Sequence, residues 1–376
     1  MIKPPETILI VCIRLIGDVI LMTPLIGLLK EAYPESNIDI LVGKGTGEFL
    51  EQDPRVRRVL YSAKEGKNYF REIFRRYDLA INMNASDRGN SAVLFAGRHQ
   101  RVGFYRGGSF WKDIWKRALF THPLKFPEDI PVARYCELVA DSLGIPAERL
   151  TVKVFWDAED ESRVEALLRR ENCSGRFFVV HPFARWIYKY WKLDRFATVS
   201  DEIARRYGLQ PIWTSSPAPE EKRLLVDTAG RCRIRPVLIE GELTLNQITC
   251  LLSRAAFYLG LDTAVTHLAA STGIPMVALY GPTFTSRWFP WFNPGEPGQC
   301  CPETRGVLRR GNIAVVQKDM ECVPCGKAGC DDGGTFESPC MTEITTDEVL
   351  AAVDLLLKHG VAGNFAPTNE DKVKHA

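Results

Sequence analysis

The sequence predicts an α/β protein in which two doubly wound, Rossmann-like domains face each other across a cleft. Its 376 residues are enough for two domains of ordinary size. In both halves, short apolar runs alternate with segments of helical periodicity, which is typical of parallel sheets covered by helices. A charged, Pro-containing stretch separates the halves. We therefore expect a first domain over 1–165 and a second over 175–358.

Composition and charge limit the classes of function. The formal net charge is only +2, so we do not expect the protein to bind nucleic acid through its overall charge. No apolar run reaches the roughly 18 residues that a membrane-spanning helix needs. Arg14, Asp18 and Pro24 interrupt the apolar N-terminus, which argues against a signal peptide. These features predict a cytoplasmic protein.

The first half opens with an apolar, β-branched run over 7–13 that predicts a buried strand. The turn 14–18 follows, and a buried helix is predicted over 19–30, with Pro24 perturbing its early part. The alternation then continues to about residue 104. Further strands are predicted over 37–42, 56–61, 79–83 and 102–104, and a basic helix over 69–77.

Asp18 is the notable polar residue of the first half. It follows the first strand, and ligands of open α/β sheets bind at the carboxyl ends of the strands. A carboxylate at this edge is suited to act as a general base. Aspartate is also common as a helix cap, so a purely structural interpretation stays open.

The segment 104–120 combines aromatic and basic residues at helical spacing. Trp111 and Trp115 alternate there with Lys112 and Lys116. This pattern is typical of an interfacial helix on an anionic membrane. A helix that packs on its own domain and exposes a basic face fits the same pattern.

The second half repeats the alternation without a detectable sequence repeat. Its first strand, predicted over 177–181, leads into a loop that carries Lys189, which is placed to meet a diphosphate as a point charge. The alternative is a surface lysine at the start of a helix. Helices are predicted over 193–207, from Glu220, over 243–253 and over 345–359, and strands over 211–214 and 238–240. The tail over 360–376 is expected to be disordered.

The stretch 258–283, YLGLDTAVTHLAASTGIPMVALYGPT, reads as strand, polar turn, helix and strand. Its polar turn lies where a strand ends and a helix begins, so free helix N–H groups would face an anion there. Thr263 adds a hydroxyl and His267 an imidazole. The stretch predicts a phosphate-binding site, with Asp262 as a mere helix cap and His267 as a buried structural residue left as the alternative.

These blocks together resemble glycosyltransferase family 9, the bacterial heptosyltransferases of lipopolysaccharide core synthesis. The resemblance runs from about residue 7 to 357. It is carried by 14–18 with Thr23-Pro24, by 77–81, by 101–104, by 260–270 and by 280–283. The chain departs from the family pattern at Phe183, at Ser215-Ser216 and at Ala264.

The resemblance implies a GT-B fold, an inverting transfer that needs no cofactor for catalysis, ADP-heptose as donor and a lipid-linked saccharide acceptor at the inner-membrane surface. It implies Asp18 as the base, with Arg14 and Gly17 on the acceptor side. The donor-binding residues that it implies are Lys189, Glu220, Asp262, Thr263, Ala264, Val265 and His267.

Two alternative functions remain compatible with the sequence. One is a transferase of another nucleotide-sugar, and the other is a non-catalytic protein that binds a nucleotide-sugar. A dinucleotide-dependent enzyme is disfavoured because no G-x-G-x-x-G follows the first strand.

A Cys-rich loop is predicted over 300–340. Cys322 and Cys325 form a CxxC pair, and Cys330 and Cys340 follow it. This spacing fits a structural zinc ion, with an iron–sulfur cluster as the second choice. Reduced thiols or a surface disulfide are the alternatives to a metal. A similar CxPC with later cysteines occurs in part of the family.

Overall fold

The chain folds into two α/β units, each built around its own sheet. The computed structural model describes residues 3–62, 69–108, 110–296, 298–301 and 303–360. The strands are β1 (Thr7–Cys12), β2 (Asn37–Gly43), β3 (Arg58–Ser62), β4 (Tyr77–Asn82), β5 (Gly97–Tyr105), β6 (His122–Lys125), β7 (Phe177–His181), β8 (Gln210–Thr214), β9 (Val237–Ile239), β10 (Phe257–Leu261), β11 (Met276–Tyr280), β12 (Gly306–Arg310) and β13 (Ile313–Gln317).

Helices connect most of these strands. They are α1 (Ile16–Leu21), α2 (Thr23–Ala32), α3 (Tyr69–Ile73), α4 (Asp87–Ala96), α5 (Phe110–Leu119), α6 (Tyr135–Ser142), α7 (Ala158–Arg170), α8 (Leu193–Tyr207), α9 (Pro219–Ala229), α10 (Leu245–Arg254), α11 (Ala264–Thr272), α12 (Thr285–Trp288), α13 (Pro339–Thr342) and α14 (Thr346–Gly360). Short 3₁₀ turns lie at Glu48–Gln52, Val132–Arg134 and Ile187–Lys189.

Both sheets are doubly wound, as the sequence predicts. The first has the strand order β3-β2-β1-β4-β5-β6, and all of its described pairings are parallel. The second has the order β12-β13-β11-β10-β7-β8-β9 and is parallel except for the β12–β13 pair. The order reverses between β1 and β4 in the first sheet and between β7 and β10 in the second. Ligands of such sheets bind at these reversal points.

The chain after β1 differs from the single helix predicted over 19–30. It forms two helices, with Met22 between them and Pro24 in the first turn of α2. Proline lacks the N–H that a helix interior needs but fits the first turn of a new helix. The first helix, α1, therefore starts earlier, at Ile16, and includes Asp18.

Other elements also depart from the expected bounds. The predicted basic helix over 69–77 ends at Ile73, and Tyr77 instead starts β4, where its hydroxyl donates a hydrogen bond of 2.6 Å to the buried Asp39. The sequence reading missed β6, α6 and the β12–β13 hairpin. β12 alternates exposed and buried residues and carries two arginines, so it lacks the continuous apolar run of the parallel strands.

The two units meet through a shared apolar layer. A single core cluster runs from β1 and α2 in the first unit to β10 and α10 in the second. Asn246 on α10 adds polar contacts between the units, since its amide donates hydrogen bonds to the carbonyl oxygens of Phe49 (2.9 Å) and Phe155 (2.7 Å). The predicted boundary over 165–175 starts within α7, which packs against α10. The boundary itself stays a prediction.

Two predictions reach beyond the described part of the chain. The helix α14 ends at Gly360, and the rest of the tail predicted to be disordered, 361–376, lies outside the described residues. In the segment 104–120, the side chains of Phe110, Trp111 and Lys112 lie outside them as well. None of the described helices combines the length and apolar character that crossing a membrane requires.

Candidate active site in the cleft

The cleft between the two units receives residues from both reversal points. A cavity of ≈ 510 Å³ is bordered on one side by α1 and on the other by the loops that follow β7, β10 and β11. Asp18 lines it from the first unit, and Lys189, Asp262 and His267 line it from the second. Gly17, Thr263 and Ala264 line it too, so seven of the residues selected from the sequence share one cavity.

Asp262 and Lys189 form an ion pair at the edge of the second sheet. The Lys189 Nζ lies 2.5 Å from Asp262 Oδ2, and the Thr283 hydroxyl donates to the same oxygen at 2.6 Å. Burial alone would raise the pKa of Asp262, but the Lys189 ammonium and the Thr283 hydroxyl outweigh it and hold this pKa below its usual value. The pair is thus an ionised carboxylate and an ammonium, both facing the cleft.

The N-terminus of α11 lies beside this pair. Its N-cap residue is Thr263, whose side chain makes no capping hydrogen bond. The Asp262 carboxylate is engaged by Lys189 and Thr283, which is a different arrangement from the simple helix cap kept as an alternative. The first N–H groups of α11 are therefore available to an anion in the cleft.

His267 sits one turn into α11 and is 3% exposed. Burial lowers the pKa of its imidazole to about 4, a shift that Lys189 strengthens and Asp262 opposes. Its Nδ1 is buried without a hydrogen-bond partner among the described residues. At neutral pH, His267 is a neutral hydrogen-bonding group rather than a cation.

Asp18 occupies the third position of α1, on the first unit. Its carboxylate lies 3.4 Å from Arg14 Nε and near the Leu15 backbone N–H. Burial raises the pKa of Asp18, and Arg14, the Leu15 N–H and Arg287 only partly offset that effect. The side chain therefore lies in the first turn of α1, near the Leu15 N–H, and also presents a basic carboxylate to the cleft.

Gly17 brings the two units close together. A Cβ on this residue would lie 3.3 Å from the Cδ2 atom of His267, closer than most such contacts. The helices α1 and α11 can therefore approach each other here because Gly17 has no side chain. This places Asp18 and the N-terminus of α11 on opposite walls of the same cavity.

A second cavity, of ≈ 230 Å³, opens on the first unit and shares Asp18, Arg287 and Trp288 with the cleft. Arg14 and Arg106 line it, so it carries positive charge close to Asp18. A hydroxyl-bearing group bound in this cavity would lie next to the Asp18 carboxylate.

Several cleft residues escaped the sequence reading. Trp186 and Phe284 are 43% and 41% exposed, and Trp186 stacks with Tyr188 at 6.4 Å between ring centroids. All three rings line the cleft and offer apolar surfaces to a flat ligand. The cluster of aromatic residues around Lys189 was a signal that could have identified two of them.

Two implied donor residues lie elsewhere. Glu220 is exposed at the start of α9, and Val265 packs against the core; neither lines the cleft. The neighbouring Glu221 accepts a hydrogen bond of 2.8 Å from the Ser216 N–H. The roles of Glu220 and Val265 stay predictions.

The Cys-rich loop forms part of the cleft wall. The Gly326 N–H donates to the Pro282 carbonyl oxygen at 2.8 Å, and Gly326 and Lys327 line the cavity. Cys322, Cys325 and Cys330 are exposed, whereas Cys340 is buried. Burial, strengthened by the other three sulfurs, raises the pKa of the Cys340 thiol to about 12.

These four cysteines lie in one region, but the structure does not give them a metal-binding arrangement. Within the described ranges, no group of three or more His, Cys, Asp or Glu residues is arranged to hold a metal ion. The structural zinc therefore stays a prediction, and no step of the chemistry below depends on a metal.

Comparison with known proteins connects this cleft to a family. Residues 68–296 match the sequence profile of glycosyltransferase family 9 (heptosyltransferase). A lipopolysaccharide heptosyltransferase 3 from Escherichia coli is 28% identical over 298 residues, covering 74% of this chain and 85% of the relative.

Solved structures have the same fold. A family 9 glycosyltransferase from Veillonella parvula superposes with a TM-score of 0.72 at 19% identity, covering 94% of this chain and 98% of that one. The E. coli ADP-heptose lipopolysaccharide heptosyltransferase II gives a TM-score of 0.69 at 19% identity, covering 94% and 99%. The GT-B fold implied by the sequence is thereby confirmed.

Proposed function

Because the chain belongs to glycosyltransferase family 9, we propose that it transfers a heptose from ADP-heptose, with inversion, to a hydroxyl of the lipopolysaccharide core or a related lipid-linked acceptor. The observation that carries this proposal is that two different chemical groups face each other across one cleft. A carboxylate of raised pKa, Asp18, faces an anion-binding helix end with its Lys189–Asp262 pair. The two walls have the chemistry of a base and of a diphosphate site.

The donor would bind on the second unit. The free N–H groups of α11 and the Lys189 ammonium suit the diphosphate, and the neutral His267 can donate a hydrogen bond to it. The exposed rings of Trp186 and Phe284 are suited to stack on a nucleobase. ADP-heptose is the donor named for the E. coli heptosyltransferase II that shares the fold.

The chemistry follows from this placement. Asp18 takes the proton of the acceptor hydroxyl while its oxygen attacks the anomeric carbon, and the bond from that carbon to the diphosphate oxygen breaks on the opposite face. The transition state resembles an oxocarbenium ion. Negative charge grows on the leaving ADP, where Lys189 and the N-terminus of α11 stabilise it. The carboxylate of Asp18 ends protonated and ADP leaves as the anion.

The acceptor would bind on the first unit, in the cavity lined by Arg14 and Arg106. Since the proposed acceptor is attached to a lipid, we place the protein in the cytoplasm, at the surface of the inner membrane. The helix α5 supports this location, because Ile114 and Leu119 are 41% and 48% exposed on it. Arg117 is exposed on the same helix, whereas Lys116 is buried and pairs with Asp87, so this lysine does not belong to an exposed basic face. Exposed apolar side chains beside a cation suit the boundary of an anionic bilayer.

A panel of nucleotides and their sugar conjugates tests the donor. Isothermal titration should give tighter binding of ADP and ADP-heptose than of UDP, GDP and their conjugates, and Asp262→Ala should abolish that binding. Transfer should then be followed by mass spectrometry with a lipopolysaccharide core acceptor. Preference for UDP or GDP would identify another nucleotide-sugar as donor. Donor binding without any transfer would favour the non-catalytic alternative.

A further inference from the structure

Arg287 lies at the boundary between the two cavities and lines both of them. It belongs to α12 of the second unit, whereas the groups that it meets belong to the first. Its Nη2 donates a hydrogen bond of 3.2 Å to the Tyr135 hydroxyl, and its charge acts on the Asp18 carboxylate. Its Nε is buried without a hydrogen-bond partner among the described residues.

The backbone around Arg287 is fixed to the second sheet. The Tyr280 hydroxyl at the end of β11 donates to the Trp288 carbonyl oxygen at 2.8 Å. The Thr285 hydroxyl donates to the Glu303 carbonyl oxygen at 2.9 Å. Because α12 is anchored on both sides of Arg287, its guanidinium reaches across the cleft from a defined position.

We propose that Arg287 is a positioning residue for Asp18: from the opposite unit its charge holds the carboxylate ionised, and the Tyr135 hydroxyl holds the guanidinium in place. The base would then be complete only when both units are in their mutual position. This inference rests on the proposed function, because it takes Asp18 as the base of the transfer.

The physical reason is the burial of Asp18. Burial favours the protonated acid, which cannot accept the acceptor's proton, and a nearby cation favours the carboxylate. Arginine is suited to this task because its guanidinium stays protonated at any pH of interest. Arg14 gives the larger attraction, but its side chain is half exposed and therefore more screened by solvent than the part-buried Arg287.

The other groups around Asp18 do not replace Arg287. Cys12 and Tyr135 are neutral at physiological pH, because burial raises the pKa of both. His267, which packs on Gly17, is neutral as well. Arg106 and Glu128 line the same cavity and carry opposite charges. Among the described residues of the second unit that line both cavities, Arg287 is the cation.

A titration of Asp18 tests the proposal without any turnover. The full-length protein would be labelled with [13Cγ]aspartate, and the Asp18 signal identified by its loss in Asp18→Asn. In Arg287→Gln the midpoint of the Asp18 titration should move to higher pH, and in Arg287→Lys it should stay close to wild type. Arg309→Gln, the same change at an exposed site on β12, is the matched control. An unchanged midpoint in Arg287→Gln would overturn the proposal.

The pH dependence of kcat provides the second measurement. In Arg287→Gln the acid limb of the kcat profile should shift to higher pH, so the loss of kcat should be largest at the acid end and shrink as the pH rises, because a higher pH ionises Asp18 without help. Tyr135→Phe should move the acid limb in the same direction by less. A loss that is equal at every pH would assign Arg287 a purely structural role. A wild-type protein that transfers no sugar would refute the proposed function, while the Asp18 titration would still decide on Arg287.

Discussion

Each wall of the cleft presents one aspartate, Asp18 part-buried and Asp262 buried, and the pKa values of the two are shifted in opposite directions. Asp18 follows β1 and Asp262 follows β10, so both lie beside a reversal point of a parallel sheet. Yet the pKa of Asp18 is raised and that of Asp262 is lowered. Burial pushes both upward, and the difference comes from the partners that oppose it.

Asp262 has two close partners on one oxygen, the Lys189 ammonium at 2.5 Å and the Thr283 hydroxyl at 2.6 Å. Asp18 has the Arg14 guanidinium at 3.4 Å and the backbone N–H of Leu15. A carboxylate that is neutralised by short contacts is a poor base but a rigid support. One that is only loosely paired retains its basicity. The position of each aspartate at the end of a strand places it in the cleft, and the groups that contact its carboxylate determine whether it can act as a base.

The largest expected effect comes from removing the proposed base. Asp18→Asn should lower kcat by at least ~100-fold, because the amide cannot accept the acceptor's proton. Affinity for ADP should stay within about threefold of wild type, since Asp18 lies on the wall opposite the proposed diphosphate site. Steady-state release of ADP and isothermal titration measure the two quantities. A near-normal kcat would remove Asp18 from the mechanism.

The counterpart on the other wall is Lys189→Met. ADP affinity should fall by roughly 10- to 100-fold through loss of a charge-assisted contact. The free energy of unfolding should fall by about 3 kcal/mol, because Asp262 is left buried without its cation. The double variant Lys189→Met/Asp262→Asn should recover most of that stability but not the affinity. Lys192→Met, at an exposed neighbour, is the control, and equal affinity in both methionine variants would contradict the assignment.

A third test concerns His267, which contacts Gly17 on the first unit and is influenced by the charge of Asp262 on its own unit. With a pKa of about 4, it should not titrate between pH 5 and 9. NMR of the imidazole C–H signals should therefore show no shift over that range, and an ionisation near pH 6.5 would contradict the neutral assignment. His267→Asn keeps one hydrogen-bonding group, so its kcat should fall by only about tenfold.

The smallest effect is on stability, and its sign separates the two aspartates. A raised pKa means that folded Asp18 binds its proton more tightly than the unfolded chain does, so its ionisation weakens the fold at neutral pH. Asp18→Asn should therefore be more stable than wild type at pH 8, by about 1 kcal/mol. The gain should vanish below about pH 4, where aspartate is protonated in both states.

Asp262 should behave in the opposite way. Its lowered pKa contributes stability that is present above the ordinary pKa of aspartate and is lost as the pH falls through the folded value. Asp262→Asn should therefore be less stable than wild type at pH 8. Thermal unfolding of both variants at pH 4 and pH 8 measures the comparison. The same direction of change in both at pH 8 would mean that the two sites are not tuned differently.

The sequence was sufficient for elements with one dominant pattern. The strand β7 and the helix α8 have the bounds that the sequence predicts, because an unbroken apolar run and a clear periodicity specify them. Partnerships across the sheet were harder to predict. Lys189 and Asp262 are 73 residues apart, and only the adjacency of β7 and β10 brings them together.

The place of Arg287 in the cleft could not be predicted from the sequence around it. It lies on a helix of 4 residues, too short for a periodicity, and its partner Tyr135 belongs to the other unit. The β12–β13 hairpin was missed for a related reason, since β12 mixes exposed arginines with apolar residues. The metal predicted from the cysteine spacing depends on the relative placement of four thiols, which spacing alone does not determine.

The contact of Gly17 with His267 sets how closely α1 and α11 approach, because Gly17 carries only a hydrogen atom at this point. A methyl group at this position would lie 3.3 Å from the imidazole, so either the His267 ring or the spacing between α1 and α11 would have to give by a few tenths of an ångström. The distance between the proposed base and the proposed leaving group therefore depends on a contact that lies outside the reacting atoms. Residues of increasing size at position 17 would act as a graded spacer, so the reach of the reaction could be adjusted without altering either carboxylate.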